Sequence, residues 1–449
     1  MKPFQNSNTK FALTAAVLVV SFALAACGGG GGSSPSTNTS TSGSSGGSAS
    51  GGSTGGGAAP TVPANTTVPT PTYSANSVLK TEFFNDLNSA RQAWNISLLA
   101  QNTDLDTSTQ NHANYLAENA PPSNPGGIDP STGLLYMHSE DQGNPGFYAA
   151  TPQARGTLAG YTGGVGEIAI ATWNSGTTVA ATAAQADAMF NAFMMTVYHR
   201  ANMLQDNYRD IGIGFSASEN LVVDMGIVGQ AASLPATTLN VFPLPNSVDN
   251  YPVWVVGAEA PNPVPSLAVG TLIASPVTVA AGYGHALTVT SFTLVDTNGA
   301  NVSVQQVNAA NDTEEAAIAP NMAHIIPLAK LNLGETYTAT FVGAIDGTPV
   351  NKTWSFTTPA AVITGVTQTA YTMTAGTTLT VPFGVPSGTS AASYEATGSL
   401  YNATFTTSGA GMALTIPSGD AVTPVIVTIT LFDYYYQNVS TTITVTVNP

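Results

Sequence analysis

The stretch Tyr198-His199-Arg200-Ala201-Asn202-Met203-Leu204 decides how this chain is read, together with two runs upstream, Met137-His138-Ser139-Glu140-Asp141 and Gly166-Glu167-Ile168. The 449 residues include five histidines and only 8% charged side chains, so two histidines and several carboxyls between Tyr136 and Gly214 gather ionisable chemistry in one segment. Around them, Leu79, Phe83, Leu87, Ala90 and Trp94 recur at helical spacing. Leu105, Thr109, His112 and Leu116 share a face of a second helix, where His112 reads as a hydrogen-bonded core histidine. Residues 120–166 are rich in Pro and Gly and read as long ordered loop, a setting that often carries function. Ala183 to Val197 reads as a third helix with Met189, Phe190, Phe193, Met194 and Val197 as its core stripe. Asp210–Phe215 and Leu221–Gly226 read as a strand hairpin. Helices and strands without regular βαβ units point to an α+β fold, an α-β-α sandwich.

Composition narrows the rest. Lys plus Arg is 9 against 25 Asp plus Glu, a formal charge of -16. A chain so poor in cations offers phosphates no basic patch, which argues against nucleic-acid binding and against electrostatic docking to anionic membranes. Lys2 and Lys10 precede a short apolar run from Phe11 to Ala26, too short for a comfortable membrane span, which reads as a signal peptide. Leu24-Ala25-Ala26-Cys27 resembles a bacterial lipobox; on that reading Cys27 becomes the acylated first residue of the mature chain. Cys27 is the sole cysteine, so acylation leaves no thiol for a disulfide, a metal site or a nucleophile. Several acyl chains, palmitate among them, would supply stable anchoring. Gly28 rather than an aspartate follows, which resembles the outer-membrane signal of Gram-negative lipoproteins, facing the periplasm or the cell surface.

The expected organisation is a lipoprotein signal peptide (1–27), a Gly/Ser/Thr/Pro tether (28–75), the α+β domain (76–232) and two β-sandwich modules (235–359 and 361–449). The tether, some 45 residues, would reach on the order of 35–40 Å as a coil. The β modules rest on strand-like runs such as Tyr337–Phe341 and Trp354–Thr358 and on the turns Asn298-Gly299 and Asp346-Gly347. Leu333-Gly334-Glu335-Thr336-Tyr337 resembles the tyrosine corner of Ig-like sandwiches. His285 and His324 fall in these regions and read as structural.

The first domain carries a longer pattern. Leu87-Asn88-Ser89-Ala90-Arg91, His112-Ala113-Asn114-Tyr115-Leu116, His138-Ser139-Glu140 followed by Gly146-Phe147 and Thr151-Pro152, Gly166-Glu167, His199–Leu204 and Ile211-Gly212-Ile213-Gly214 occur in order over residues 77–230. Together they resemble the bacterial branch of the CAP superfamily (the SCP-like domain of cysteine-rich secretory proteins, antigen 5 and pathogenesis-related proteins). The resemblance implies an α-β-α sandwich with a surface cleft holding two histidines and two acids, which in several members binds a divalent metal. His138, Glu167 and His199 match three of these four; Thr196 stands where the fourth, a glutamate, is expected, and Ile168 replaces an Asn. Glu140 or Asp141 could supply the missing carboxylate.

Two imidazoles and a carboxylate could hold Zn²⁺ or Mg²⁺, with His138 and His199 as ligands, or act as an acid–base pair. The chain has no His-Glu-x-x-His helix, Gly-x-Ser-x-Gly elbow or cysteine nucleophile, so the balance tips from enzyme toward a binding cleft formed by His138, Glu140, Glu167 and His199. The expected ligand is a small molecule, a lipid, a metal or a partner. A metal-dependent hydrolase of the cell envelope, with His138, Glu167 and His199 as catalytic candidates, and an adhesive surface protein with a vestigial cleft are the alternatives.

Overall fold

The computed structural model describes residues 23–27, 61–74, 77–176, 181–248, 250–312, 318–387, 392–397, 403–408, 411–421 and 423–449. Residues 1–22, expected as signal peptide, and 28–60, expected as tether, lie outside them. Among the described residues no helix is long and apolar enough to cross a membrane.

The first domain is organised on a mixed sheet whose strands are β1 (Ala23–Cys27), β2 (Ala100–Gln101), β3 (Gly164–Ala171), β4 (Asp210–Phe215), β5 (Leu221–Ile227) and β6 (Glu259–Ala260), in the spatial order β6-β1-β3-β5-β4-β2. Period-two alternation divides its faces. Ile168, Ile170, Ile211, Ile213, Leu221, Val223 and Met225 join the core beneath α1 (Val78–Ala93), α4 (Ala183–Met194) and α5 (Tyr198–Met203). Ala169, Ala171 and Val222 join a second core, with Ala113, Tyr115 and Leu116 of α2 (Thr103–Glu118). The short α3 (Pro152–Ala159) packs beside α2. The expected α-β-α sandwich is present.

Local chemistry sets the helix ends. Asn102 accepts from the N–H groups of Asp104 and Leu105 at the start of α2, and Thr151 with Pro152 at N1 opens α3. In α1, Leu79, Phe83 and Leu87 are fully buried at i, i+4 and i+8. The Gly212 and Gly214 positions let α2 lie directly on the sheet: a Cβ on Gly212 would sit 2.2 Å from the Leu105 carbonyl carbon, and one on Gly214 2.1 Å from the Thr109 carbonyl oxygen.

The structure departs from the sequence reading in three places. The helix expected over Ala183–Val197 ends at Met194, and α5 begins anew at Tyr198. The cause is Glu259, whose carboxylate accepts from the N–H groups of Val197 (2.9 Å), Tyr198 (2.8 Å) and His199 (3.2 Å) and so caps a new helix start. Residues 61–74, expected as the end of the tether, run along the domain instead. Thr61–Val62 pairs with Gln230–Ala231, Asn65 donates to the carbonyls of Leu98 and Arg209, and Val68 and Tyr73 pack on the core. The third departure is β1: the lipobox segment pairs antiparallel with β3 and parallel with β6.

Two β-sandwiches follow. In the first, strands Asn240–Phe242, Val277–Ala280, Met322–Pro327 and Val304–Asn308 face Leu287–Val295, Thr336–Ile345 and Thr348–Thr357 across one core. Asp346 and Gly347, both at positive φ, make the expected two-residue hairpin turn. The Tyr337 hydroxyl accepts from the Asn332 N–H at 3.0 Å, the backward bond expected of a tyrosine corner. The second sandwich sets Ala370–Thr374, Ser440–Asn448, Val425–Asp433 and Ala392–Thr397 beside Thr378–Val381, Gly411–Thr415 and Thr404–Ser408. The first sandwich is fused to the α+β domain rather than hung from it: Trp254, Val256, Ile273, Val307, Met322 and Ile326 share the core of Phe83, Phe193 and Tyr198.

Because Gly214 meets backbone, not a movable side chain, Gly214→Ala is expected to destabilise the protein by at least about 1–3 kcal/mol in chemical denaturation. A variant as stable as the parent would show that α2 does not rest on this strand.

Candidate functional site

The polar centre of the domain is built from the turn Tyr136–His138, α2, α3 and β3. Period-two alternation sends Glu167 of β3 to the α2–α3 side, opposite to Ile168. There the Arg155 guanidinium of α3 closes on it through one nitrogen, Nη2, which lies 2.9 Å from Oε1 and 2.7 Å from Oε2. The same guanidinium donates to the carbonyl of His138 at 3.1 Å. His138 gives Nδ1–H to Glu167 Oε1 at 2.8 Å, since an ionised carboxylate can only accept. His112 places Nδ1 2.9 Å from Glu140 Oε1 and Nε2 2.8 Å from the Met137 carbonyl, so the expected hydrogen-bonded core histidine is observed. Glu140 also accepts from the N–H groups of Tyr148 and Ala149, pinning the loop after Asp141.

Electrostatics follow from this geometry. Burial alone would raise the Glu167 carboxyl, but Arg155, then His112 and His138, hold it well below the usual carboxylate range. Asp224 of β5, buried on the same face and accepting from the Ser108 hydroxyl at 2.8 Å, is pushed well above its ordinary value, first by burial and then by the Glu167 charge. Of this carboxyl pair Glu167 is held toward its ionised form and Asp224 toward its protonated form. Burial lowers the His138 imidazole against the pull of Glu167, so His138 is neutral near pH 7.

His199 belongs to a separate cluster. Its Nδ1 lies 2.8 Å from Glu259 Oε1 and 3.0 Å from Thr196 Oγ1. Where the sequence leaves Thr196 in place of an acid, β6 supplies Glu259 from outside the motif-bearing region. The next residues of the motif fasten α5 on both sides. Arg200 donates to Met194, Ser275, Thr278 and Pro276, tying α5 to the first sandwich. Asn202 donates to the Glu167 carbonyl at 3.1 Å and accepts from the Tyr208 hydroxyl at 2.6 Å.

The structure thus joins His138, Glu140 and Glu167 into one network with Arg155 and His112, and holds His199 with Glu259. Asp141 instead caps its own turn, accepting from Gly143 N–H. Arg155, Asp224 and Glu259 were missed by sequence reasoning. Arg155 had a signal, since the chain has only four arginines and all four are interior; Glu259 had none. His285 pairs with Asp346, and His324 is buried on Thr278, both within the sandwich.

The site is closed, where an open cleft was expected. His138, His199, Glu140 and Glu167 are at most 2% exposed, and β1 lies along the outer edge of β3, against the Tyr136–His138 turn and α5. Among the described residues the Nε2 atoms of His138 and His199 are buried without a hydrogen-bond partner. The donor arrangement does not suit a divalent ion as it stands. Glu167 is engaged by Arg155, and the one described group of three His or carboxylate donors within 4.8 Å of each other is Glu82, Asp86 and Asp187, which includes neither histidine.

Residues 84–228 match the family model described as CAP, the cysteine-rich secretory protein family. A search of curated proteins found no match. Among solved structures the chain is similar to an endo-fucoidan hydrolase of glycoside hydrolase family 107 (MfFcnA4) at 13% identity and TM-score 0.22, over 53% of this chain and 37% of that one. It is also similar to a titin A168–A169 fragment at 11% identity and TM-score 0.18, over 39% and 89%. A protocadherin gammaB7 EC3-6 structure aligns at 11% and TM-score 0.18, over 52% and 60%. The chain spans about a third of the length of the two fucoidan hydrolases, and scores this low carry no argument.

Removing one partner of a buried ion pair strands the other, so Glu167→Gln should cost about 3–5 kcal/mol in equilibrium unfolding. The pH dependence separates the two carboxyls. Glu167, depressed in the fold, contributes stability that is lost as pH falls below its unfolded value near about 4.3. Neutral His138 adds to the loss below about 6.5. Asp224, raised in the fold, works the other way, contributing stability at low pH that is lost as pH rises. Asp224→Asn keeps the shape of the neutral acid, so its melting temperature relative to the parent should improve from pH 4 to pH 8. A relative decline over that range would show Asp224 to be ionised in the fold.

Proposed function

Since residues 84–228 are a CAP domain, we propose that the protein is an exported, lipid-anchored binding protein whose domain takes a ligand at His138, Glu167 and His199 without turning it over. The observation that carries this reading is the state of the two histidines. Each places Nδ1 against a carboxylate, Glu167 or Glu259, and keeps a buried Nε2 with no partner among the described residues. A carboxylate on one ring nitrogen fixes the tautomer and leaves the other as a bare acceptor. Two such acceptors suit a ligand that brings N–H or O–H donors.

The carboxyls around the two histidines offer no base for turnover. A general base needs a carboxylate or imidazole free to take a proton. Glu167 is held toward its ionised form and occupied by Arg155 Nη2, Glu140 is taken up by backbone donors and His112, and Asp224, pushed toward its protonated form, accepts from Ser108. The network ties loop to helix, and its rigidity presents the histidine acceptors. The anchoring half of the reading rests on Leu24-Ala25-Ala26-Cys27 after an apolar run, with outer-membrane placement following from Gly28.

Two measurements test the halves separately. Titration calorimetry of the purified protein with sterol, fatty acid, cell-wall fragments and Zn²⁺ should give saturable binding to at least one, weakened tenfold or more in both His138→Ala and His199→Ala. Binding of none, or binding indifferent to both variants, would remove the cleft reading. Labelled palmitate should enter the parent and not Cys27→Ser, which should leave the membrane fraction; label in both would remove the anchor.

A further inference from the structure

The outer edge of β3 is made unlike a free sheet edge. Its sequence, Gly164-Val165-Gly166-Glu167-Ile168-Ala169-Ile170-Ala171, is buried from Val165 onward. It has no proline, no lysine and no bulge in its register with β1 or β5, the devices by which exposed edges avoid recruiting other chains. On its inner side β3 pairs with β5 from Gly164 to Ile170. On its outer side it pairs with β1, from Ala23 opposite Ala171 to Cys27 opposite Glu167. The far side of β1 pairs with β6, Leu24 with Glu259 and Ala25 with Ala260. Between β3 and β6 there is thus room for one strand, bounded by the turn that carries His138 and the helix that carries His199.

The strand in that place is the lipobox. On the reading above, cleavage before Cys27 removes four of its five residues from the mature chain. β3 and β6 stay, because β5 and the α5 start hold them independently: Glu259 remains fixed by three N–H groups and His199. The processed protein is left with N–H and C=O groups on β3 and β6 that have lost the strand that paired them, a ready template for another strand.

We propose that the place between β3 and β6 is a strand-addition site of the processed protein, taking an extended peptide of small, uncharged side chains antiparallel to β3 and parallel to β6. Backbone pairing supplies the affinity, as in other strand-addition complexes. The segment in that place, Ala-Leu-Ala-Ala-Cys, is uncharged and mostly small in sequence, which sets the composition of the peptide. Charge is disfavoured because the carboxylates bordering the place, Glu167 and Glu259, already have their partners, and no cation is left to pair with an incoming acid. The two bare histidine Nε2 atoms add acceptors for peptide N–H or hydroxyl donors. This inference rests on the cleft being a binding site and names the class of its ligand.

The test uses the processed chain, residues 27–449 with Cys27→Ser, and a fluorescent acetyl-Ala-Leu-Ala-Ala-Ser-amide read by anisotropy. Two further peptides carry backbone N-methyl groups on alternate residues, one in each phase, so that the protein itself is unchanged. Saturable binding is expected to fall at least tenfold in the phase that blocks the N–H groups directed at β3, and to fall less in the phase directed at the shorter β6, since alternate N–H groups of a strand face opposite neighbours. Equal binding of all three peptides, or binding of none, overturns the proposal. If the peptides fail while a lipid, cell-wall fragment or metal still binds through His138 and His199, the strand site is wrong and the broader reading stands. If nothing binds, both fall.

Discussion

A guanidinium closed on a carboxylate in a dry interior is the constraint on which the domain depends. Arg155 and Glu167 are both essentially without solvent exposure, so neither charge is tolerable without the other. Their pairing decides which of two neighbouring carboxyls is ionised and sets the tautomer of His138. It also draws the carbonyls of His138 and Ala149 onto α3, giving a long Pro- and Gly-rich loop a single conformation. An apolar replacement could pack as well, but it could not orient an imidazole.

The parts of this design that were legible in the sequence are those with a local period. Leu79, Phe83 and Leu87 announced α1, and Asp210–Phe215 with Leu221–Gly226 announced the hairpin of β4 and β5, because packing repeats with the backbone. His138 and Glu167 were found by their motifs, and they meet. What was hidden depends on chain distant in sequence. The break between α4 and α5 has no local cause, since residues 195–198 contain neither proline nor glycine. Its cause is Glu259, some sixty residues later. The shared core of domain and sandwich, and the closing of the cleft by β1, are likewise products of long-range contact.

That fusion changes how the modules work together. Arg200 stacks 4.3 Å over Phe242 while donating into the Ser275–Thr278 segment, and Asn240 donates to the carbonyl of Trp94. Between the two sandwiches, the Tyr436 hydroxyl donates to Leu331 at 2.6 Å and Lys330 sits 4.3 Å over the Tyr436 ring. His199, on the helix that borders the strand place, is therefore held through α5 by the first sandwich. Force or ligand acting on the β modules has a direct mechanical path to His199.

All four arginines of the chain, at positions 91, 155, 200 and 209, are interior. Beyond the leader, only Lys80, Lys330 and Lys352 remain as cations, and two of these are partly covered. Proteases that cut after arginine or lysine must find such a residue in an accessible, locally unfolded backbone. This fold offers them no arginine at its surface and little lysine. The fold thus resists such digestion simply through where its few positive charges are placed.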